Sequence, residues 1–443
     1  MADTAVPSRT ISSQLDSLPV SRAHRRAVRL VGIGLFFDLF DVFLAGVLST
    51  VLTNAFGLSK TVVPVLLGSS FLGMFLGAMG SGAIADRFGR KPAFLANLGI
   101  YSLFTLFGAF SGSAAMLVAM RFLAGIGIGG ELPLSDAYLS ELLPARERGR
   151  LIARAYTIGL CGVPAVGFLA RVLTPLEPLG IAGWRWLFLA GSLGGWIVWA
   201  LRRGLPESPR WLENQGRWSE AAAVAGTLGA ELVPGGAAQK QAKPPFRVLF
   251  TARYRRRTLM LYVFQIFQTV GYYGFGSIVP LILAAKGFSV LSSLTYTGIS
   301  TLGYPLGSAL SLPIVERVDR KWLIVFSAAA MAIFGLALGF STATAAIAIF
   351  GVLYTAVSNV FSNAFHIFQG EIFPTGVRAT AAGSAYGLSR LSSAAMPFVL
   401  LPVLRSQGAG PMFILISAAM AIVILDIALL APSTTGKHLD EIA

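Results

Sequence analysis

The chain holds one cysteine and three histidines in 443 residues. Cys161, being alone, excludes an internal disulfide, and His24, His366 and His438 are too scattered for a metal cluster, so neither metal nor cofactor is expected. Charge is scarce as well. Asp, Glu, Lys and Arg make up 12% of the residues, against about 25% in an ordinary soluble domain. With 55% hydrophobic residues and a mean hydropathy of +0.71, the chain belongs in a bilayer. Acids are the scarcer sign: 20 Asp and Glu stand against 35 Lys and Arg, a net charge of +15. Such an excess would suit a nucleic-acid partner, but the Lys and Arg fall in alternate gaps between apolar runs. That is the positive-inside pattern, and no nucleic acid is expected.

A helix needs about 20 apolar residues to cross the hydrocarbon. Twelve stretches qualify: 28–54, 61–85, 92–111, 115–140, 151–173, 183–202, 257–284, 290–315, 322–341, 344–369, 380–404 and 410–431. The expected fold is an all-α membrane protein of twelve transmembrane helices in two six-helix halves. Residues 1–27 form a tail, 28–202 the first bundle, 203–256 a linker, 257–431 the second bundle and 432–443 a second tail. Residues 1–27 lack the apolar core of a signal peptide, and Arg22, Arg25, Arg26 and Arg29 sit at the first span, so the N-terminus is expected to stay cytoplasmic. Of the 35 Lys and Arg, only Lys60, Arg171, Arg185, Lys286 and Arg405 then face outward, with Arg121 and Arg390 inside spans. An even number of crossings returns the C-terminus to the cytoplasm. Met1 to Ser17 is polar and expected to be mobile. In the linker, Pro206 to Leu212 suits a plain surface loop, and Trp218 to Leu228 reads as a short amphipathic helix able to lie on the membrane surface.

Gly82-Ala-Ile-Ala-Asp86-Arg87-Phe88-Gly89-Arg90-Lys91 runs from an apolar helix into a knot of charge. At an offset of 230 residues comes Glu316-Arg317-Val318-Asp319-Arg320-Lys321, and at the same offset Glu141-Leu-Leu-Pro144 with Arg148 is answered by Glu371-Ile-Phe-Pro374 with Arg378. Two charged signatures sharing one spacing mark a duplication, as expected of a transporter built from repeats.

Over essentially its whole length the chain resembles the major facilitator superfamily. Gly82 to Lys91 is similar to the signature of its helix 2–3 loop, Arg121-Phe-Leu-Ala-Gly125 to its helix 4 motif, and Gly159-Leu-Cys-Gly162-Val-Pro164-Ala-Val-Gly167 to its helix 5 glycine-proline motif. Leu15-Asp16-Ser17-Leu18-Pro19, His24 and Phe37-Asp38-Leu39-Phe40-Asp41 resemble the opening of bacterial metabolite:proton and aromatic-acid:proton symporters and their niacin-transporter relatives, kin to organic-ion transporters. The glycine-proline run is expected to serve packing and bending. Gly82, Asp86, Arg87, Gly89, Arg90, Glu141 and Arg148, with Glu316, Arg317, Arg320, Glu371 and Arg378 of the second half, are expected to be conformational latches. They would favour the outward-facing state and break when the cavity opens inward.

An ionisable group at mid-span costs about 2.5 kcal/mol or more, so each one calls for an explanation. Asp38 and Asp41 share one face of helix 1, with Asp38 about 15 Å deep. Two close acids cannot both ionise cheaply, so the pair suits proton exchange, or else a hydrogen bond to a neighbouring helix. Arg390 is about as deep in helix 11, in Tyr386-Gly-Leu-Ser-Arg390, and its planar fork suits a carboxylate. This context resembles the helix 11 site where organic anion transporters carry an arginine. The alternative is a permanent ion pair with Asp38, Asp41 or Glu131. Arg121 and Glu131 lie ten residues apart on helix 4; by resemblance Arg121 belongs to a motif linked with proton transfer, and either residue would equally serve to lock helix 4 to helix 1. Asp136 and His366, also 230 apart, would meet as an inner gate, or His366 is simply a satisfied interfacial residue. Helix 7 carries Gln265-Ile-Phe-Gln268-Thr-Val-Gly271-Tyr272-Tyr273-Gly274-Phe275-Gly276, with glycines at which to unwind around substrate. Gln265, Gln268, Tyr272, Tyr386 and Phe36 complete the candidate substrate contacts.

The sequence thus reads as a monomeric inner-membrane carrier that moves a small organic anion, an aromatic or heterocyclic carboxylate, together with protons. A sugar carrier is the nearest rival, since Pro206 to Leu212, Gly183-Trp184-Arg185-Trp186 and Tyr138-Leu-Ser-Glu141 resemble sugar porters. A metabolite or drug exporter is also open. An enzyme would need a nucleophile or metal constellation that the sequence does not offer; a non-transporting receptor would be told apart by counterflow.

Overall fold

The computed structural model describes residues 11–230, 246–315, 317–373 and 375–433; Glu316 and the side chain of Arg378 lie outside them. Within hydrocarbon every backbone N–H and C=O must be paired inside the chain, and the described residues are accordingly helical, with no strand among them. A short α1 (Ile11–Ser17) precedes span 1, α2 (Arg22–Val47), which continues into α3 (Ser49–Phe56). Span 2 is α4 (Val62–Phe88), span 3 α5 (Arg90–Ala109), span 4 α6 (Ala114–Gly129) with α7 (Glu131–Leu142), span 5 α8 (Arg148–Leu160) with α9 (Gly162–Leu173), and span 6 α10 (Gly183–Arg202). Two linker helices follow, α11 (Pro209–Asn214) and α12 (Trp218–Leu228). Span 7 is α13 (Arg255–Gly276) with α14 (Val279–Ala285), span 8 α15 (Val290–Thr301) with α16 (Gly303–Val315), span 9 α17 (Arg320–Phe340), span 10 α18 (Thr344–Glu371), span 11 α19 (Thr375–Gln407) and span 12 α20 (Ala409–Leu430). Nine of these crossings are long and apolar enough to be recognised singly, and the α13–α14 pair is a tenth. The other two, span 6 and the broken span 8, complete twelve. Span 7 bends by 62° directly after the expected glycines, at Ser277 and Ile278.

The duplication extends to the packing. Spans 2 and 4 cross where Gly73 and Gly77 face the carbonyls of Phe122 and Ile126, and spans 8 and 10 cross where Gly303 and Gly307 face those of Val352 and Ala356. All four pairs of residues are related by the offset of 230. A side chain at any of these glycines would drive into the neighbouring backbone, so close helix approach is what the small residues secure.

The two halves meet unevenly. Away from the end that carries α1, α11 and α12, Arg405 Nη1 donates to the Lys60 carbonyl at 2.5 Å, Arg171 Nε to Thr295 Oγ1 at 3.1 Å, and Gly68 lies against Ala394 and Phe398. Further along the same helices Gly80, Gly82 and Gly383 have nothing within 4 Å of a would-be side chain. Spans 2 and 11 are therefore in contact toward one end and apart toward the charged end, while spans 5 and 8 still meet through the hydroxyls of Thr157 and Ser308, 3.1 Å apart.

Two expectations change. Residues 11–17 are a helix, not a loose tail, with Leu15 fully buried, because α1 packs on α11 and α12. The amphipathic helix α12 uses its apolar side within the protein: Ala221, Ala225 and Leu228 are buried in one cluster with Leu15, Trp211 and Leu212. In a Cys161→Ser background, cysteine at Gly82 is expected to react rapidly with a polar maleimide and cysteine at Gly68 to resist it. Equal reactivity at the two sites would contradict this packing.

Candidate functional site

Four ionisable side chains of the first half meet in two acid–arginine pairs. Arg121, on α6, donates from Nη1 to Asp41 Oδ2 at 2.7 Å, from Nη2 to the Asp41 carbonyl at 2.7 Å and from Nε to Ser70 Oγ at 3.1 Å. Thr105 Oγ1 donates to the other Asp41 oxygen at 3.0 Å. Arg202, at the end of span 6, pairs with Glu131 and also donates from Nη2 to the Val31 carbonyl at 3.2 Å. Its guanidinium lies 4.5 Å from the ring centre of Phe94, in space that the glycine at 34 leaves open. All four side chains are essentially fully buried, a setting in which each pair must outweigh a large desolvation cost; the Asp41 pair is filled out by further hydrogen bonds, whereas Glu131 Oε2 has no hydrogen-bond partner among the described residues. The two acids of span 1 therefore part company. Asp41 is locked to span 4, whereas both oxygens of Asp38, 1% exposed, have no hydrogen-bond partner among the described residues. Glu131, Arg202 and Asp41 are within its electrostatic reach. A bare carboxylate is costly there, so the position calls for a proton or a counter-charge that comes and goes.

Arg390 lies on span 11, 2% exposed. Its Nη1 donates to Tyr273 Oη at 2.8 Å, its Nη2 donates to Tyr386 Oη, and its Nε has no partner. Both phenol rings also lie beside the cation, with centroids 5.2 and 4.5 Å away. Among the described residues no carboxylate pairs with Arg390. The alternative of a permanent bridge to Asp38, Asp41 or Glu131 is thus not realised, since two of those acids have other arginines and the third has none. Tyr272 stands beside Tyr273, with ring centres 5.0 Å apart, and below it Gln268 donates to Gln265 at 3.0 Å, which donates in turn to Gln369 at 3.0 Å. Tyr156 Oη donates to Asp136 at 2.8 Å, and this pair is within the electrostatic reach of Tyr386. Asp136 and His366 do not bond to each other: the acid has Tyr156, and His366 is exposed beside Phe365. Phe36 is not part of this cluster. It lines a lateral apolar groove with Phe37, Phe40 and Phe168, away from Arg390, so its expected substrate contact is corrected.

The sequence and the fold match known proteins. A family model described as sugar (and other) transporter matches residues 28–443. The chain belongs to that family of major facilitator transporters. The transporter is 30% identical to a niacin transporter of Acinetobacter baylyi over 97% of this chain and 99% of the relative. It is 27% identical to a 4-hydroxybenzoate transporter of Pseudomonas aeruginosa over 88% of each. Its fold resembles the xylose transporter XylE of E. coli in a partially occluded inward-open conformation, with a TM-score of 0.77, 20% identity, and coverage of 94% of this chain and 100% of that one. Homologues and fold are transporters, not enzymes.

At the charged end of the transporter the expected latch residues lie together, each half with its own pair. Arg90 bridges Asp86 at 3.0 Å and Glu141 at 2.8 Å, and at the offset of 230 Arg320 bridges Glu371 at 3.1 Å. These pairs join helices within one half, and they are intact although spans 2 and 11 are apart at this end. Arg87 lies by Phe88, and Arg317 is exposed. Arg148 does not pair with Glu141 but with Asp16 at 2.5 Å, an acid that Arg210 also binds at 2.6 Å. Gly89 has a φ of 109°, which lets the chain turn so that Glu207 accepts the Arg90 and Lys91 N–H groups at 2.8 and 3.2 Å and caps span 3. Burial raises the Glu207 acid above its ordinary range, against the pull of its N–H donors. Pro206 to Leu212 is therefore built into the charged end and is not a plain loop; Trp211 Nε1 also donates to the Asp86 carbonyl at 3.0 Å.

Sequence reasoning missed Tyr273, Arg202, Asp16, Glu207 and the Asp136–Tyr156 pair. Arg202 sits at a span end, where an arginine looks like a membrane-interface residue, and Tyr273 was hidden by its neighbour Tyr272. Arg202→Leu is expected to destabilise the transporter by about 3–5 kcal/mol, because Glu131 is left buried and alone, while Arg202→Leu with Glu131→Leu recovers most of the loss. Thermal unfolding of the purified variants tests this, and a double variant no better than the single would show that the two do not act as a unit.

Proposed function

We propose that the transporter is a proton-coupled symporter of a small organic anion, an aromatic or heterocyclic carboxylate. The observation that carries this reading is Arg390, a buried guanidinium held by two phenols and, among the described residues, by no acid. A guanidinium stays charged at any physiological pH, so a resident anion is lacking and a travelling one would complete the site. The Nε–H edge fits a carboxylate two-point contact, while Tyr273, Tyr386 and Tyr272 offer ring faces to a flat substrate. Gln268 and Gln265 supply amides on the same side of span 7. The names of the niacin and 4-hydroxybenzoate relatives support a substrate of this kind. A neutral sugar would leave the cation uncompensated, which disfavours the sugar reading despite the family's description.

In this scheme Asp38 is the proton site, and Asp41 with Arg121 and Glu131 with Arg202 set the field around it. A protonated Asp38 lets the halves close around the loaded site without burying a bare charge, and its proton leaves toward the side on which the site opens. The charged end is cytoplasmic by the distribution of Lys and Arg, in a bacterial inner membrane, with the observed opening facing inward.

Proteoliposomes given nicotinate or 4-hydroxybenzoate should accumulate it when a proton gradient is imposed inward; uptake that ignores both the gradient and voltage would remove the coupling claim. Arg390→Lys keeps the charge but loses the fork and is expected to weaken half-saturation about tenfold, near 1.4 kcal/mol. Unchanged affinity would count against the carboxylate site. Asp38→Asn is expected to abolish gradient-driven accumulation while substrate counterflow persists.

A further inference from the structure

One seam of the molecule has no part in the substrate site. At the charged end, beneath α1, a cavity of 980 Å³ is lined by Arg25, Arg146, Arg150 and Arg154. Of its acids, Asp16 is neutralised by Arg148 and Arg210, and Glu147 lies 3.7 Å from Arg150. Arg25, Arg146 and Arg154 have no carboxylate partner among the described residues. Higher on the same two helices, spans 1 and 5, the lateral groove of 440 Å³ is lined by Phe36, Phe40, Ala165 and Phe168.

The two features are in register. Arg25 and Phe36 are eleven residues apart on α2, and so are Arg154 and Ala165 on span 5; eleven residues bring a helix back to within about 20° of the same face after a rise of about 16 Å. Half the hydrocarbon thickness is about 15 Å. Membrane orientation alone asks for positive charge at this end, but it asks neither for a cavity nor for an apolar groove aligned above it.

We propose that this seam holds an anionic phospholipid, its phosphate among Arg25, Arg146 and Arg154 and one acyl chain laid along spans 1 and 5 into the phenyl groove. Basic pockets between spans at the cytoplasmic side suit such headgroups, with an effect of about fivefold in affinity for each arginine. The bound chain would brace span 1, which carries Asp38, against span 5.

The full-length protein in mild detergent, titrated with phosphatidylglycerol and followed by native mass spectrometry, tests this. Phosphatidylglycerol should be retained at least tenfold better than phosphatidylcholine of the same tails. Arg25→Gln with Arg154→Gln should lower its retention about twenty-five-fold, and Ala165→Trp, which fills the groove and leaves the arginines in place, should lower it too. Arg255→Gln with Arg256→Gln, removing equal charge elsewhere at the same end, should have no effect. The proposal fails if the two lipids bind alike, if the control pair of substitutions weakens binding equally, or if Ala165→Trp changes nothing. It also fails if free glycerol phosphate displaces the lipid at comparable concentration, which would mark a site for soluble phosphate.

Discussion

Hydrocarbon offers no hydrogen bonds, so a charge among the spans is either matched by the protein or left for something that moves. The pairing of Arg121 with Asp41 settles which is which in the first half. It takes one of the two span 1 acids and ties spans 1 and 4, while Arg202 with Glu131 draws in span 6 and the span 1 backbone. Once these partners are assigned, Asp38 has nobody. In the second half Arg390 is in the matching position of need, solvated by phenols in place of an acid. Among the described residues, the two ion pairs of the first half thus stand beside an acid and an arginine that have no partner of opposite charge.

The repeat shows which parts of the fold are structural. The glycine crossings and the arginine–glutamate bridge recur at the offset of 230 in both halves. The buried charged positions do not: Asp38 corresponds to Gln268, Arg121 to Gly351, Glu131 to Phe361 and Arg390 to Leu160. Tyr156 and Tyr386 do correspond, and each spends its hydroxyl on a charged group of its own half, Asp136 in one and Arg390 in the other. The duplicated scaffold has kept its joints and diverged in its chemistry.

Span number, the repeat and Arg390 were readable from the sequence because hydropathy, spacing and the rarity of mid-span charge each leave a local mark. Partner choice leaves none. Asp38 and Asp41 look equivalent along the chain, and only the approach of Arg121 from another span tells them apart. Arg148 stands seven residues after Glu141, yet its acid is Asp16, brought in by a helix that reads as a polar tail. Glu207 caps span 3 from 116 residues away along the chain, a contact no periodicity could announce.

The way Arg390 is held bears on how the transporter responds to membrane voltage. Under the proposed coupling, a monoanion and a proton carried together would add no net charge to the site that moves. Both halves of such a cycle would be electroneutral, so the pH difference and not the electrical potential would set the direction of flow. A phenol shields the cation without cancelling it, so the guanidinium keeps its charge for a travelling anion, which a fixed carboxylate in the same place would exclude.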